Sequence, residues 1–285
     1  MIRLFAADLD GTLLNSMHMT DRTILTSIGK VRAAGAHFSV ATGRVFRTTR
    51  DFGFCGGMCV VCANGSIVLG EGDEVLRAEA VDPAFCVDLV SEFGDLPFEF
   101  VTAEHTYHRC SEAEHAAAFA DAPRYWRIAT RGMRMTGGPE YVYDCTSAQL
   151  ASLPVCKVNL HLQGQVPEVA REVSAFLAEH PEVVNAPFDP TMFEITAAGV
   201  DKGSALAWLA GWLGLGEDEV AVYGDGGNDI CMLERFAAFG HAYATSNGSA
   251  DAKRAAGNVI GSCDRHAVPR HMLETLRREG SDAAR

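Results

Sequence analysis

No apolar run in the sequence approaches the roughly 20 residues that a membrane-spanning helix requires. Nor is there a lysine–arginine cluster. The chain carries 24 basic and 37 acidic residues among 285, a formal net charge of −13, and such a surface repels nucleic acid and anionic membrane. A cleavage-site pattern is missing from MIRLFAADLDGT, which turns acidic by Asp8. The segment therefore reads as a first strand and not as a secretory signal. A disulfide rhythm is missing as well: nine cysteines, an odd number, are scattered along the chain, which points to a reducing cytoplasm. Cys59 and Cys62 form a C-x-x-C with no second pair to complete a zinc site, and inside an apolar run they read as buried core thiols. These absences point to a cytoplasmic protein whose partner is a small molecule and neither nucleic acid nor membrane; a monomer or weak homodimer is expected.

What is present is a set of short apolar runs, each ending abruptly in small or polar residues. Ile2 to Ala7 ends in Asp8-Leu9-Asp10-Gly11-Thr12, and His37 to Ala41 ends in Thr42-Gly43-Arg44. Met58 to Cys62 ends in Ala63-Asn64-Gly65, and Val220 to Tyr223 ends in Gly224-Asp225-Gly226-Gly227-Asn228-Asp229. Continuous apolar runs of this length suit parallel strands covered on both faces. Helical patterns lie between them, one capped by Thr20 and stopped at Gly35, another capped by Asp201 and stopped at Gly214. Strand and helix in alternation predict an α/β fold with an open, doubly wound parallel sheet. Ligands bind such sheets beyond the carboxyl ends of the strands, so Asp8, Asp10, Thr42, Asn64 and Asp225 are expected in one crevice. Taken singly, each is an ordinary turn or cap residue; the joint pattern is what carries the reading. Asp8, Asp10 and Asp225 would repel one another there unless a divalent cation, Mg2+, sat among them.

That set suits phosphoryl transfer, whose transition state needs positioning and positive charge. Asp8, ending a buried strand, is the candidate nucleophile, and its attack would split the reaction through an aspartyl-phosphate. Asp10, two residues on, points into the same crevice and would protonate the leaving alkoxide, then take a proton from water. Lys202, in the first turn of its helix, would hold the phosphate together with the helix N-terminus. The Thr42 hydroxyl and the main-chain amides of Leu9 and Gly43 would add donors.

These residues, in this order, resemble the haloacid dehalogenase superfamily. DLDGTLL at Asp8–Leu14 is similar to its first motif and ATGR at Ala41–Arg44 to its second. Lys202 within FEITAAGVDKGSAL and GDGGNDICML at Gly224–Leu233 are similar to the third and fourth. The resemblance implies nucleophile and acid/base roles for Asp8 and Asp10, and a metal-ligand role for Asp225. It also implies phosphate contact by Asn228, a supporting acidic role for Asp229, and support from Arg44 and Asn64. About 30 residues separate Asp10 from Thr42, while about 160 separate Thr42 from Lys202, room for a second small domain. That layout, with FEITAAGVDKG and Ala63-Asn64-Gly65, resembles the Cof-type subfamily (type IIB, C2 cap). It implies a Rossmann-like core at 1–82 and 190–285 and an inserted α/β cap at 83–189, closing over the site.

Two stretches depart from the subfamily pattern, Ser262–Val268 and Ala244–Gly248. Within the cap, Phe85 to Val90 and Ala170 to Leu177 read as helices. Phe98 to Val101, Tyr141 to Tyr143 and a half-exposed Val158 to Leu162 read as strands. His105, His108 and His115 have no carboxylate or cysteine at ligand spacing and read as surface or partly packed residues. Trp126 flanked by Arg124 and Arg127 reads as a packed ring between surface arginines. The expected activity is hydrolysis of a small phosphate monoester such as a sugar phosphate. The rivals are a phosphomutase with the same nucleophile and a non-catalytic metabolite-binding protein.

Overall fold

The computed structural model describes residues 1–118, 140–162, 167–187 and 192–283. By its contacts the chain divides into two compact units, Met1–Leu76 with Asp201–Arg285, and Arg77–Val200. Among the described residues no helix is long and apolar enough to cross a membrane. The expected Trp126, Arg124 and Arg127 group lies outside the described residues.

The larger unit is built on the runs singled out above. They form β1 (Leu4–Ala7), β2 (His37–Ala41) and β3 (Cys59–Cys62), followed by β4 (Ile67–Leu69) and β5 (Val75–Ala78). The fold is α/β: β1, β2 and β3 run parallel, and β4 turns back antiparallel on β3. The register sets Leu4 beside His37 and Val40 beside Val60. Every residue of β1 and β3 is buried, as a strand with helices on both faces requires. Asp21, and not Thr20, caps the first helix, Arg22–Ala33, because its carboxylate accepts the amides of Thr23 and Ile24. The Thr20 hydroxyl instead donates to the Phe52 carbonyl.

The smaller unit carries β6 (Glu99–Val101), β7 (His105–Tyr107), β8 (Glu140–Val142), β9 (Lys157–His161), β10 (Val183–Asn185) and β11 (Met192–Ala197). The sheet order is β10-β11-β9-β6-β7-β8, antiparallel except for the β7–β8 pair. This unit reaches Val200 because β11 pairs with β9, setting Phe193 beside Leu160 and Glu194 beside Asn159. One face, with Phe100, Val158, Leu160, Phe193 and Ile195, packs on the helices Pro83–Phe93 and Pro167–Ala178. The alternate residues Lys157, Asn159 and Glu194 are also buried. β9 is therefore covered on both sides and not half-exposed, since its polar residues find partners across the sheet: Lys157 on Glu194, and Asn159 on Glu99.

The larger unit resumes with β12 (Val220–Gly224), β13 (Ala242–Ala244) and β14 (Asn258–Val259), all parallel. The full order is β14-β13-β12-β1-β2-β3-β4-β5. From β1 the chain steps outward through β2 and β3, and later from β12 outward in the other direction. The switch point lies between β1 and β12, where such sheets open a ligand crevice.

Candidate active site

Asp8 follows β1 directly, and its amide continues the ladder by donating to Tyr223 of β12 at 2.9 Å. The chain then turns through 9–13, where Gly11 takes φ +80°. A Cβ there would lie 2.3 Å from Asp225 Oδ2, so only glycine lets the two loops approach this closely. Thr12 Oγ1 donates to Asp225 Oδ1 at 2.7 Å and ties the two strand ends together. The Gly11 carbonyl accepts from Thr245 Oγ1 at 3.1 Å and Asn247 Nδ2 at 2.7 Å. The departing stretch Ala244–Gly248 thus buttresses the first loop. The other departing stretch does so at a distance, since Asp264 accepts the Ser16 amide and His266 meets Asp21 at 2.6 Å.

Lys202 arrives from the helix Lys202–Trp212, capped by Asp201 as expected. It is 1% exposed, and its Nζ donates to Asp8 Oδ1 and Asp229 Oδ1, each at 2.7 Å. The approach of that helix depends on the hairpin after β3. Gly65 takes φ +99°, and a Cβ on it would come within 2.3 Å of the Asp201 carbonyl oxygen. Asn64, at φ 57° in the same turn, accepts from Asn228 Nδ2 at 3.1 Å. The second oxygen of Asp229 accepts the amides of Asp225 and Gly226 at 2.8 and 2.9 Å, which shapes the β12 loop. Thr42 is buried at the end of β2, and its Oγ1 accepts the Arg44 amide across Gly43 at 3.1 Å. Leu9 is buried at the head of the first turn.

The electrostatics are uneven. The carboxylates of Asp8, Asp225 and Asp229 each offer an oxygen within 4.8 Å of the others, against the single ammonium of Lys202. Burial, and then the charges of Asp229, Asp225 and Asp10, push the Asp8 carboxyl well above its usual range despite Lys202. Burial and the Asp229 charge push Asp225 up to about 6. Burial would lower the Lys202 ammonium, but Asp229 and Asp8 prevail and hold it above the ordinary lysine value.

Asp10 stands apart. Arg44 Nε meets its Oδ2 at 2.7 Å, while Arg44 Nη2 and His18 Nδ1 each meet its Oδ1 at 2.5 Å. Burial would raise this carboxyl, but His18 and Arg44 bring it down to about 2. The carboxylates that gather are thus Asp8, Asp225 and Asp229; the expected third member, Asp10, turns its oxygens to a guanidinium and an imidazole. His18, Thr12, Thr245 and Asn247 were not foreseen. Thr12 lies inside the DLDGT run that named its neighbours, whereas His18 sits in a loop at φ 56° with no periodic signal. An oxygen-only donor set with surplus negative charge has the chemistry that Mg2+ requires, so the residues fit that ion.

Comparison with known proteins follows the same lines. Residues 5–272 match the family of haloacid dehalogenase-like hydrolases. The 5-amino-6-(5-phospho-D-ribitylamino)uracil phosphatase YbjI of Escherichia coli is 24% identical over 98% of this chain and 97% of its own. Phosphatase YwpJ of Bacillus subtilis is 27% identical over 96% of this chain and 100% of its own. In three dimensions, a haloacid dehalogenase-like hydrolase from B. subtilis superposes with a TM-score of 0.78. It is 22% identical and is covered over 99% of its length, against 95% of this chain.

Proposed function

The chain belongs to the haloacid dehalogenase-like hydrolases, and on that premise we propose that it is a Mg2+-dependent phosphatase of small phosphorylated metabolites. The relatives named above are phosphatases, and the first acts on a phosphorylated ribityl compound. The substrate class proposed here is a phosphate monoester of comparable size, a sugar phosphate or similar metabolite. The observation that carries the reading is the buried Lys202 ammonium shared by Asp8 and Asp229 at the β1–β12 switch point.

In this reading Asp8 attacks phosphorus, the ester bond to the alkoxide breaks, and an aspartyl-phosphate results. Asp10 gives a proton to the leaving oxygen and takes one back from the water that releases phosphate. Held at about 2 by His18 and Arg44, Asp10 carries no proton at neutral pH. It thus begins deprotonated and only weakly basic, so proton donation in the first step and proton uptake in the second both require those partners to turn aside. Lys202, Thr42 and the amides of Leu9 and Gly43 bind the phosphoryl oxygens, with Asn228 oriented by Asn64. Asp8 and Asp225 would hold Mg2+, which supplies positive charge to the transferring group when bound. Asp229 keeps Lys202 charged and the β12 loop in shape. Nine free cysteines, seven of them at least partly buried, support a reducing compartment.

The test is phosphate release from a panel of phosphorylated metabolites with Mg2+, with Asp8→Asn alongside. Release that falls by at least about 10⁴-fold in the variant, with its far-UV circular dichroism intact, supports the covalent reading. Near-parental release by Asp8→Asn overturns it. Isomerisation without phosphate release would assign a mutase.

A further inference from the structure

The smaller unit holds a second set of ligand-type side chains that shares no residue with the site above. Glu99 of β6, His108 just after β7 and His115 of the helix Glu112–Ala118 each present a ligand atom, and all three atoms lie within 4.8 Å of one another. His115 Nε2 lies 3.2 Å from Glu99 Oε1. That is close to the spacing of two ligands sharing one tetrahedral ion with metal–ligand bonds of about 2.0–2.1 Å.

His108 is what an ion pair between Glu99 and His115 fails to explain. It is 0% exposed, yet neither of its ring nitrogens has a hydrogen-bond partner among the described residues. Buried polar atoms are normally paired, and an exception calls for a reason. Its backbone is secured on both sides: its amide donates to Val142 and its carbonyl accepts from Cys145. Its ring stacks on Tyr143 at 4.9 Å and lies 4.2 Å from the His115 ring. The imidazole is therefore held in place with its lone pair uncommitted. Burial, with help from His115 and against Glu99, lowers its pKa to about 4, so it is neutral at physiological pH, as a metal ligand must be.

The surrounding residues orient the other two. Tyr143 Oη lies 3.3 Å from His115 Nδ1; a proton on Nδ1 given to that oxygen leaves the Nε2 lone pair facing Glu99. Asn159 Nδ2 donates to Glu99 Oε2 at 3.0 Å and leaves Oε1 toward His115. Each of these two ligands thus has its far atom tied, the arrangement that sets tautomer and rotamer around bound metals.

We propose that Glu99, His108 and His115 bind a divalent first-row transition ion of the zinc type, a site separate from the Mg2+ site. Two imidazoles and one carboxylate are the donor set of a three-ligand zinc site with an open position. The all-oxygen cluster of Asp8, Asp225 and Asp229 favours Mg2+.

The experiment uses the full chain, stripped with chelator and then kept in excess Mg2+. Zn2+ binding is titrated, and Co2+ is followed by its visible absorption. About one equivalent of Zn2+ is expected in the parent and in Asp225→Asn. His108→Ala and His115→Ala should weaken binding by at least about 100-fold, and Tyr143→Phe by about tenfold. Parent protein that binds no Zn2+, a parental affinity in His108→Ala, or loss of binding in Asp225→Asn each overturns the proposal. Should the histidine variants fail to fold, the Co2+ spectrum of the parent decides. Intense bands of a low-coordinate, imidazole-bound ion support the site. A pale octahedral oxygen spectrum, or a thiolate charge-transfer band, overturns it.

Discussion

Each unit of this chain buries a lysine against carboxylates, and the two lysines sit in opposite electrostatic settings. In the smaller unit Lys157 donates to Glu194 across the β9–β11 pair, among the described residues an ion pair of one cation with one anion. In the larger unit Lys202 donates to Asp8 and Asp229, with Asp225 alongside, one cation to three anions. A buried pair whose charges cancel contributes little net stability, and apolar residues of similar volume can replace it. A buried cluster whose charges do not cancel costs stability in the absence of a further cation. Such clusters gather at functional sites, where their charge is arranged for the reaction.

The largest expected effect is therefore at Lys202. Lys202→Met leaves Asp8 and Asp229 buried without their cation, so stability should fall by about 3–5 kcal/mol. Phosphate release should fall by at least about 10²-fold, through loss of charge stabilisation of the transferring group. Steady-state kinetics and a denaturant melt measure both. Activity within tenfold of the parent would make Lys202 a structural cation like Lys157.

Lys157 supplies the contrast. Lys157→Met should cost about 3–5 kcal/mol by taking the ammonium away from the buried Glu194 carboxylate, while adding Glu194→Leu should bring stability back to within about 1 kcal/mol of the parent. The matching pair in the larger unit, Lys202→Met with Asp229→Leu, should not restore phosphate release. A double variant at 157 and 194 that stays as unstable as the single one would show that the pair does more than cancel charge.

The same contrast explains what could be read in advance. Asp8, Thr42, Asn64 and Asp225 each follow one of four neighbouring parallel strands, because parallel topology brings successive strand ends to one edge. Each signal was local: a buried apolar run followed by polar residues. Side-chain direction was not local. Asp10 was expected to face the cation with Asp8, but Arg44 and His18 take both its oxygens, and neither contact follows from spacing. In the smaller unit the useful partners come from another strand and from a helix. Glu99 meets Asn159 from 60 positions away and His115 from 16, and no periodicity announces such pairs. His108 read as a surface or partly packed residue because its carboxylate neighbour comes from another strand.

The surplus charge at Asp225 leads to a third, smaller effect. With its carboxyl pushed up from 3.8 to about 6, the stability tied to its protonated form is full below the unfolded value. It is lost as pH rises through about 6, so at neutral pH the metal-free protein carries a penalty. Mg2+ should offset it. At about 100 times its dissociation constant the ion should stabilise by roughly 2.7 kcal/mol, raising Tm by about 5 °C or more for a chain of this size. Asp225→Asn should abolish that shift while melting no lower than the parent in chelator. An equal Mg2+ shift in Asp225→Asn would remove Asp225 from the cation site.

The smallest effect separates the lysine from the helix that brings it. Asp201 caps that helix by accepting the amides of Gly203 and Ser204 at 2.6 and 3.0 Å. Asp201→Ala should cost about 1 kcal/mol, the usual worth of an N-cap, and Asp201→Ser should recover most of it. Thr146 caps the helix Ser147–Leu150 of the smaller unit in the same manner, and its alanine variant should cost about as much. Phosphate release in Asp201→Ala should stay within about threefold of the parent, a difference no larger than most changes away from buried networks produce. The reason is that Lys202 is gripped at its far end by two carboxylates, and those bonds survive fraying of the first turn. A loss approaching that of Lys202→Met would mean that the cap, and not the ion pairs, holds the ammonium in position.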